Sequence, residues 1–147
     1  LTPSVTGPPT RAESENVGAG GGLSATQAIS PRARRPGCVF CDIVAGELTA
    51  DVVATNDQAA AFRDRRPAAP THVLVVPRRH VEDAAALAAG DADLLAGMLL
   101  LAQEVAALDT VDGRGYRLVM NVGADAGNTI PHLHLHVLGG RPLGALG

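Results

Sequence analysis

From Cys38 onward the apolar residues fall into short runs whose period changes along the chain. Val39, Phe40, Ile43 and Val44 recur at helical spacing and are closed by Gly46, which predicts a short helix. Asp51-Val52-Val53-Ala54 and Ala59-Ala60-Ala61-Phe62 flank Thr55-Asn56-Asp57-Gln58, whose Asn and Asp favour a turn, so the pair reads as a hairpin. The β-branched run His72–Val76, stopped by Pro77, predicts a central strand. After Asp91, Leu94, Met98, Leu101, Val105 and Leu108 share one face of a long amphipathic helix. Tyr116–Val122 and His132–Leu138 predict two further strands with a Gly-rich loop between them. The order hairpin, strand, helix, strand, strand points to an α+β fold. It would have about five strands in a mainly antiparallel sheet, with one long and one short helix.

Composition separates a tail from this pattern. Residues 1–37 hold five Pro, six Gly and no aromatic residue, and Gly18-Ala19-Gly20-Gly21-Gly22 supports no regular element. Such a segment cannot bury enough apolar area to offset its conformational entropy, so a disordered tail over 1–37 and a folded domain over 38–147 are expected. A length of 147 residues, 46% apolar, suits that single domain. Two Cys exclude a disulfide scaffold. The chain carries neither a bilayer-length apolar run nor a signal-peptide pattern at its start, which, with thiol-type Cys usage, predicts the cytoplasm and no membrane partner. The net charge of −3 is uneven: the tail is +2 and the domain −5. A domain of that sign is a poor binder of nucleic-acid polymers, although a local pocket still suits a small anion.

His132-Leu133-His134-Leu135-His136-Val137 is the segment that carries chemistry. On a strand the three imidazoles line one face while Leu133, Leu135 and Val137 line the other, leaving the histidines to face a cleft. Two readings stay open: a catalytic metal held by two or three of them, or one imidazole acting as nucleophile while its neighbours handle protons and charge. Upstream, Asn121 and the loop Gly123–Thr129 offer backbone N–H groups and neutral donors that suit a phosphate oxyanion.

Asn121, Gly127-Asn128-Thr129-Ile130-Pro131 and His132–Val137 followed by Leu138-Gly139-Gly140-Arg141 together resemble the signature of the histidine triad (HIT) superfamily. Pro70-Thr71-His72, Val76-Pro77-Arg78-Arg79-His80 and Phe62-Arg63-Asp64 resemble its upstream segments, in the family's order. The Gly139-Gly140-Arg141 ending favours the Hint branch, which implies hydrolysis of nucleoside 5′-phosphoramidates to an amine and a purine mononucleotide. By this resemblance His134 is the nucleophile, His136 contacts phosphate oxygens and His72 orders the imidazoles. Asn121, Gly127, Asn128 and Thr129 hold phosphate or leaving group, and Asp64 accepts from the ribose hydroxyls. Val39, Phe40, Ile43, Leu48, Phe62 and Leu74 form the base slot. Arg65 departs from the family, which usually places an aliphatic residue after the ribose aspartate; Asn128 replaces a usual Gln. The end of the chain also lacks the aromatic residue that many Hint relatives send to the partner's site.

Cys38 and Cys41 form a Cys-x-x-Cys pair without the βαβ context of a redox site. The resemblance to zinc-containing bacterial members implies that His80 and His132 complete a structural Zn²⁺ site with them, and it implies a homodimer. A dinucleoside polyphosphate hydrolase on the same scaffold, a nucleotide-binding regulatory protein and a zinc hydrolase using the three histidines directly are the competing functional readings.

Overall fold

The computed structural model describes residues 34–147, so residues 1–33 of the tail expected over 1–37 lie outside the described residues. The elements are α1 (Val39–Val44), β1 (Val52–Thr55), β2 (Ala59–Arg63), β3 (Thr71–Pro77), α2 (Ala92–Leu108), β4 (Tyr116–Val119) and β5 (Leu135–Gly139). The strands form one sheet in the order β1-β2-β3-β5-β4, with every neighbouring pair antiparallel. This is the expected α+β architecture, with β3 at its centre.

Strand alternation sends residues to two faces. Ala59, Ala61, Val73, Val75, Leu135 and Val137 pack under Leu94, Met98, Leu101, Ala102 and Val105 of α2. Ala60, Phe62, Leu74 and Val76 pack on the other side against Phe40, Cys41 and Val44 of α1. Leu108 does not join the α2 core as its spacing suggests: it is the helix's last residue and is 56% exposed. Gly46, with φ +77, adopts the left-handed conformation that closes α1.

Two predicted strands are shorter than their apolar pattern. The strand expected over His132–Leu138 begins only at Leu135, and that over Tyr116–Val122 ends at Val119. Leu135 pairs with Val75, so continuing the register sets Leu133 opposite Pro77. Proline has no N–H for the ladder. The Pro77 carbonyl is instead 3.0 Å from Nε2 of His132. Once β5 leaves the ladder, β4 has nothing to pair with beyond Val119↔His136.

The folded part also starts earlier than expected. Arg34, assigned to the tail from composition, meets Asp42 at 3.1 Å and Glu47 at 2.8 Å and thereby ties residues 34–37 to α1 and the turn after it. At the other end of the sheet, Arg63 donates twice to Asp109 at 2.9 and 2.8 Å, and the Thr71 hydroxyl donates to the same carboxylate at 2.9 Å. These bonds hold the end of α2 to the residues that directly precede Asp64 and His72. Among the described residues no helix is long and apolar enough to cross a membrane.

The hairpin is docked on α2 through a close approach. Asn56 accepts from the backbone N–H groups of Gln58 and Ala59, and its amide donates to the Gly97 carbonyl at 2.8 Å. A Cβ on Gly97 would sit 2.5 Å from Cβ of Gln58. Gly97→Ala is therefore expected to lose about 1–2 kcal/mol of stability, because overpacking outweighs the roughly 1 kcal/mol gained in helix propensity. Urea unfolding checks this, and an unchanged or raised midpoint contradicts it.

Candidate active site and metal centre

Cys38 caps α1 and Cys41 follows at the third position, so both thiols lie on one face of the first turn. His80, after β3, and His132, before β5, approach the same point. Nδ1 of His132 lies 3.4 Å from Sγ of Cys38 and 3.5 Å from Sγ of Cys41, and Nδ1 of His80 lies 3.4 Å from Sγ of Cys41. All four donor atoms fall within 4.8 Å of one another, a group that could hold a metal ion. A tetrahedral ion with ordinary Zn–S and Zn–N bonds has S···N edges of about 3.5 Å, which these separations match. His132 is fully buried, and burial pushes its pKa down to about 4, so the ring is neutral as a ligand must be. Its Nε2–H donates to the Pro77 carbonyl, which orients Nδ1 toward the thiols.

His132 therefore does not face a cleft beside His134 and His136, contrary to the alternation argument. It precedes β5 and turns into the Cys pair. The three triad histidines do not converge on a single ion. The redox reading of the Cys pair also loses support, because burial pushes the Cys41 thiol up, away from the thiolate a redox nucleophile needs.

The other imidazoles form a directed hydrogen-bond chain. Nδ1 of His134 lies 2.7 Å from the carbonyl oxygen of His132, so Nδ1 carries the proton and donates. Nε2 of His134 is left with its lone pair and is not sealed from solvent: among the described residues His136 Nε2 is the buried side-chain polar atom without a partner. The Ala68 N–H donates to Nδ1 of His72 at 2.9 Å, which puts the His72 proton on Nε2. That proton is donated to Nδ1 of His136 at 2.9 Å, with Asp64 Oδ2 also 3.5 Å from His72 Nε2. Neutral His136 then presents Nε2–H as an unsatisfied buried donor, which costs about 1–3 kcal/mol unless a ligand accepts from it. Asp64, His72 and His136 also lie close enough to hold a cation. With ring centroids of His72 and His136 only 5.2 Å apart, however, the two nitrogens meet head on, which is hydrogen-bond geometry.

Beside this chain is a cavity of about 910 Å³ lined by Val39, Phe40, Ile43, Leu48, Phe62, Asp64 and Leu74, all expected from the sequence. Thr49, Ala50, Asp51, Arg63, Arg65, Pro67 and Ile130 complete it. Three lining residues touch the histidines: Phe40 meets His134 edge-on with centroids 5.3 Å apart, Asp64 reaches His72, and Leu74 pairs across the sheet with His136. The predicted phosphate loop enters through Ile130, whose N–H donates to Asn128 Oδ1 at 3.3 Å. Gly127 turns this loop with φ +79. Asn121 and Asn128 are half-buried and Gly127 and Thr129 exposed. Among the described residues no hydrogen bond joins these four to the imidazoles.

Sequence reasoning anticipates a main-chain carbonyl on Nδ1 of the nucleophilic imidazole but not which one, and it misses the Ala68 N–H and the Pro77 carbonyl. Backbone groups carry no residue-type signal. Only the proline after the β3 run hinted at one.

Burial, with His134 and His72 nearby, pushes the pKa of His136 from 6.5 down to about 4, and burial lowers that of His72 against the pull of Asp64. Between these two values for His136 the unfolded chain binds more protons than the folded one, so stability rises with pH there. The contribution of neutral His136 is complete above pH 6.5 and is lost as pH falls toward 4. The urea midpoint is expected to fall with acid across this window, and less steeply in His136→Gln. Equal slopes in the two proteins would contradict the assignment.

A family model for the HIT domain matches residues 45–143. A HIT-like protein of Synechocystis is 45% identical over 104 residues, 71% of this chain and 90% of that protein. The purine nucleoside phosphoramidase of Escherichia coli K12 is 36% identical over 108 residues, 74% of this chain and 91% of that enzyme. Among solved structures, a histidine triad protein from Clostridium difficile aligns with TM-score 0.74 at 32% identity, covering 78% of this chain and 99% of that one. A HIT family hydrolase from Clostridium thermocellum aligns with TM-score 0.74 at 35% identity, covering 77% and 98%.

Proposed function

Since the chain belongs to the HIT domain family of nucleotide-cleaving hydrolases, we propose that it hydrolyses purine nucleoside 5′-phosphoramidates through a covalent nucleotidyl-His134 intermediate. The observation that carries this reading is the tautomer of His134: its Nδ1–H is spent on the His132 carbonyl at 2.7 Å, which leaves Nε2 free as a nucleophile. The cavity is of nucleoside size, and Asp64 on its wall, a pure acceptor when ionised, is proposed to accept from the ribose hydroxyls. Nε2 of His134 attacks the α-phosphorus and the P–N bond to the amine breaks, the amine taking up a proton as it leaves. His136 Nε2–H donates to a phosphate oxygen as charge builds there. Water then attacks phosphorus, the bond to Nε2 breaks, and the mononucleotide is released. Asn121, Gly127, Asn128 and Thr129 are proposed to hold the phosphate and leaving group.

The Cys38, Cys41, His80 and His132 group is proposed to hold zinc, which two soft thiolates and two imidazoles in a closed four-ligand set favour. Bound there, the ion would supply cross-linking of α1 to the segments after β3 and before β5, and no bond-making chemistry. A homodimer is proposed as well, in keeping with β4 being an edge strand and with exposed Leu118 on it.

Parallel incubation with a purine nucleoside 5′-phosphoramidate and a dinucleoside polyphosphate, with rapid acid quench and intact-mass analysis, tests the assignment. The expected result is faster phosphoramidate turnover and a trapped nucleotidyl adduct on His134. Faster cleavage of the polyphosphate favours the sister activity. Turnover of neither, with tight mononucleotide binding, favours a regulatory protein.

A further inference from the structure

Arg65 is an unexpected charge on the wall of a largely hydrocarbon slot. It follows Asp64, the ribose-side carboxylate, and its Nη2 donates to the Thr49 carbonyl at 3.2 Å, which draws the guanidinium from the loop after β2 toward the segment before β1. Among the described residues no carboxylate lies within 4 Å of it, because Asp51, the other acid of the lining, sits 3.8 Å from Arg63 Nε instead. One N–H is spent on Thr49 and the remaining donors have no acidic partner. Arg65 shares the cavity wall with Asp64 and with the apolar slot of Phe62, Leu74, Ile43 and Leu48, so a base held in that slot with its ribose toward Asp64 would lie on the same wall as this guanidinium.

A guanidinium only donates. The N7 and O6 atoms of guanine or hypoxanthine both accept and match its fork, whereas adenine places its N6 amino donor where O6 would be. We propose that Arg65 is a specificity-determining residue that makes this chain select 6-oxopurine nucleotides, those of guanosine and inosine, over adenosine nucleotides. The proposal takes its binding site from the function inferred above, but mononucleotide binding tests it without any turnover.

Calorimetric affinities of GMP, IMP and AMP for the full chain, for Arg65→Met and for Arg65→Lys decide the matter. GMP and IMP are expected to bind more tightly than AMP by about fivefold or more, the lower end of bidentate purine readout. That ratio should fall to near one in Arg65→Met and to an intermediate value in Arg65→Lys, whose ammonium is a point donor. A ratio near one in the unsubstituted chain, as for a guanidinium lying flat on any base, overturns the proposal. So does a ratio that survives Arg65→Met, or IMP grouping with AMP, which would move recognition to the 2-amino group. Guanine preference without phosphoramidate turnover would leave the proposal standing and remove the proposed reaction.

Discussion

His134→Gln is expected to reduce kcat for phosphoramidate hydrolysis by on the order of 10⁴–10⁶, because the side chain that makes and breaks the bond to phosphorus is removed outright. The substitution leaves Cys38, Cys41, His80 and His132 untouched, so metal content should be unchanged. Mononucleotide affinity should move by no more than a few fold, since the base slot and Asp64 lie on α1, β2, β3 and the segments just after α1 and β2, not on β5. Single-turnover kinetics, metal analysis and mononucleotide titration on one preparation separate the possibilities. Loss of bound metal together with activity would revive the reading in which the histidines hold a catalytic ion. Retention of near-normal turnover would remove His134 from the reaction. The physical basis is local: a ring whose Nδ1–H is committed to a backbone carbonyl cannot swing away, and its remaining lone pair needs no deprotonation before it attacks.

Stripping metal from the Cys38–Cys41–His80–His132 group is expected to be the largest single loss of stability available to the domain. An ion that binds only the folded state, present at about a thousandfold over its Kd, contributes about 4 kcal/mol. For a domain of this size that corresponds to a fall in Tm of about 15 °C. The Phe40, Val44, Phe62, Leu74 and Val76 cluster remains, so the sheet should stay folded at room temperature. Catalysis should weaken as well, since His132 supplies the carbonyl that orients His134. Calorimetric melting before and after chelation, with Cys41→Ala as the matched variant, measures this. An unchanged Tm after confirmed metal loss would show that the cluster does not stabilise the fold.

Much of this architecture was legible in the order of short apolar runs. The hairpin, the central β-branched strand and the long helix appear where period and turn residues placed them, because each is governed by neighbours in the chain. The burial of Leu133, Leu135 and Val137 beneath α2 likewise follows from strand alternation. The failures share a cause. The strand over His132–Leu138 comes out shorter because its start depends on Pro77 of the neighbouring strand, far away in the chain, and Leu108 shares the apolar face by helical angle yet is exposed at the last residue of α2. Arg34 looked like part of a solvated run until Asp42 and Glu47 lay beside it.

The chain alone, then, settles which residue types are available and how they alternate: imidazoles against leucines, two thiols a helical turn apart, an aspartate after an aromatic. Those are consequences of local geometry. Which imidazole keeps a free nitrogen is decided by the folded structure, because each ring's proton follows the backbone group it meets. His132 meets Pro77 and the thiols, His134 the carbonyl two residues behind it, and His72 the Ala68 N–H. Three histidines of identical chemistry take three different tasks because folding gives each a different hydrogen-bond partner.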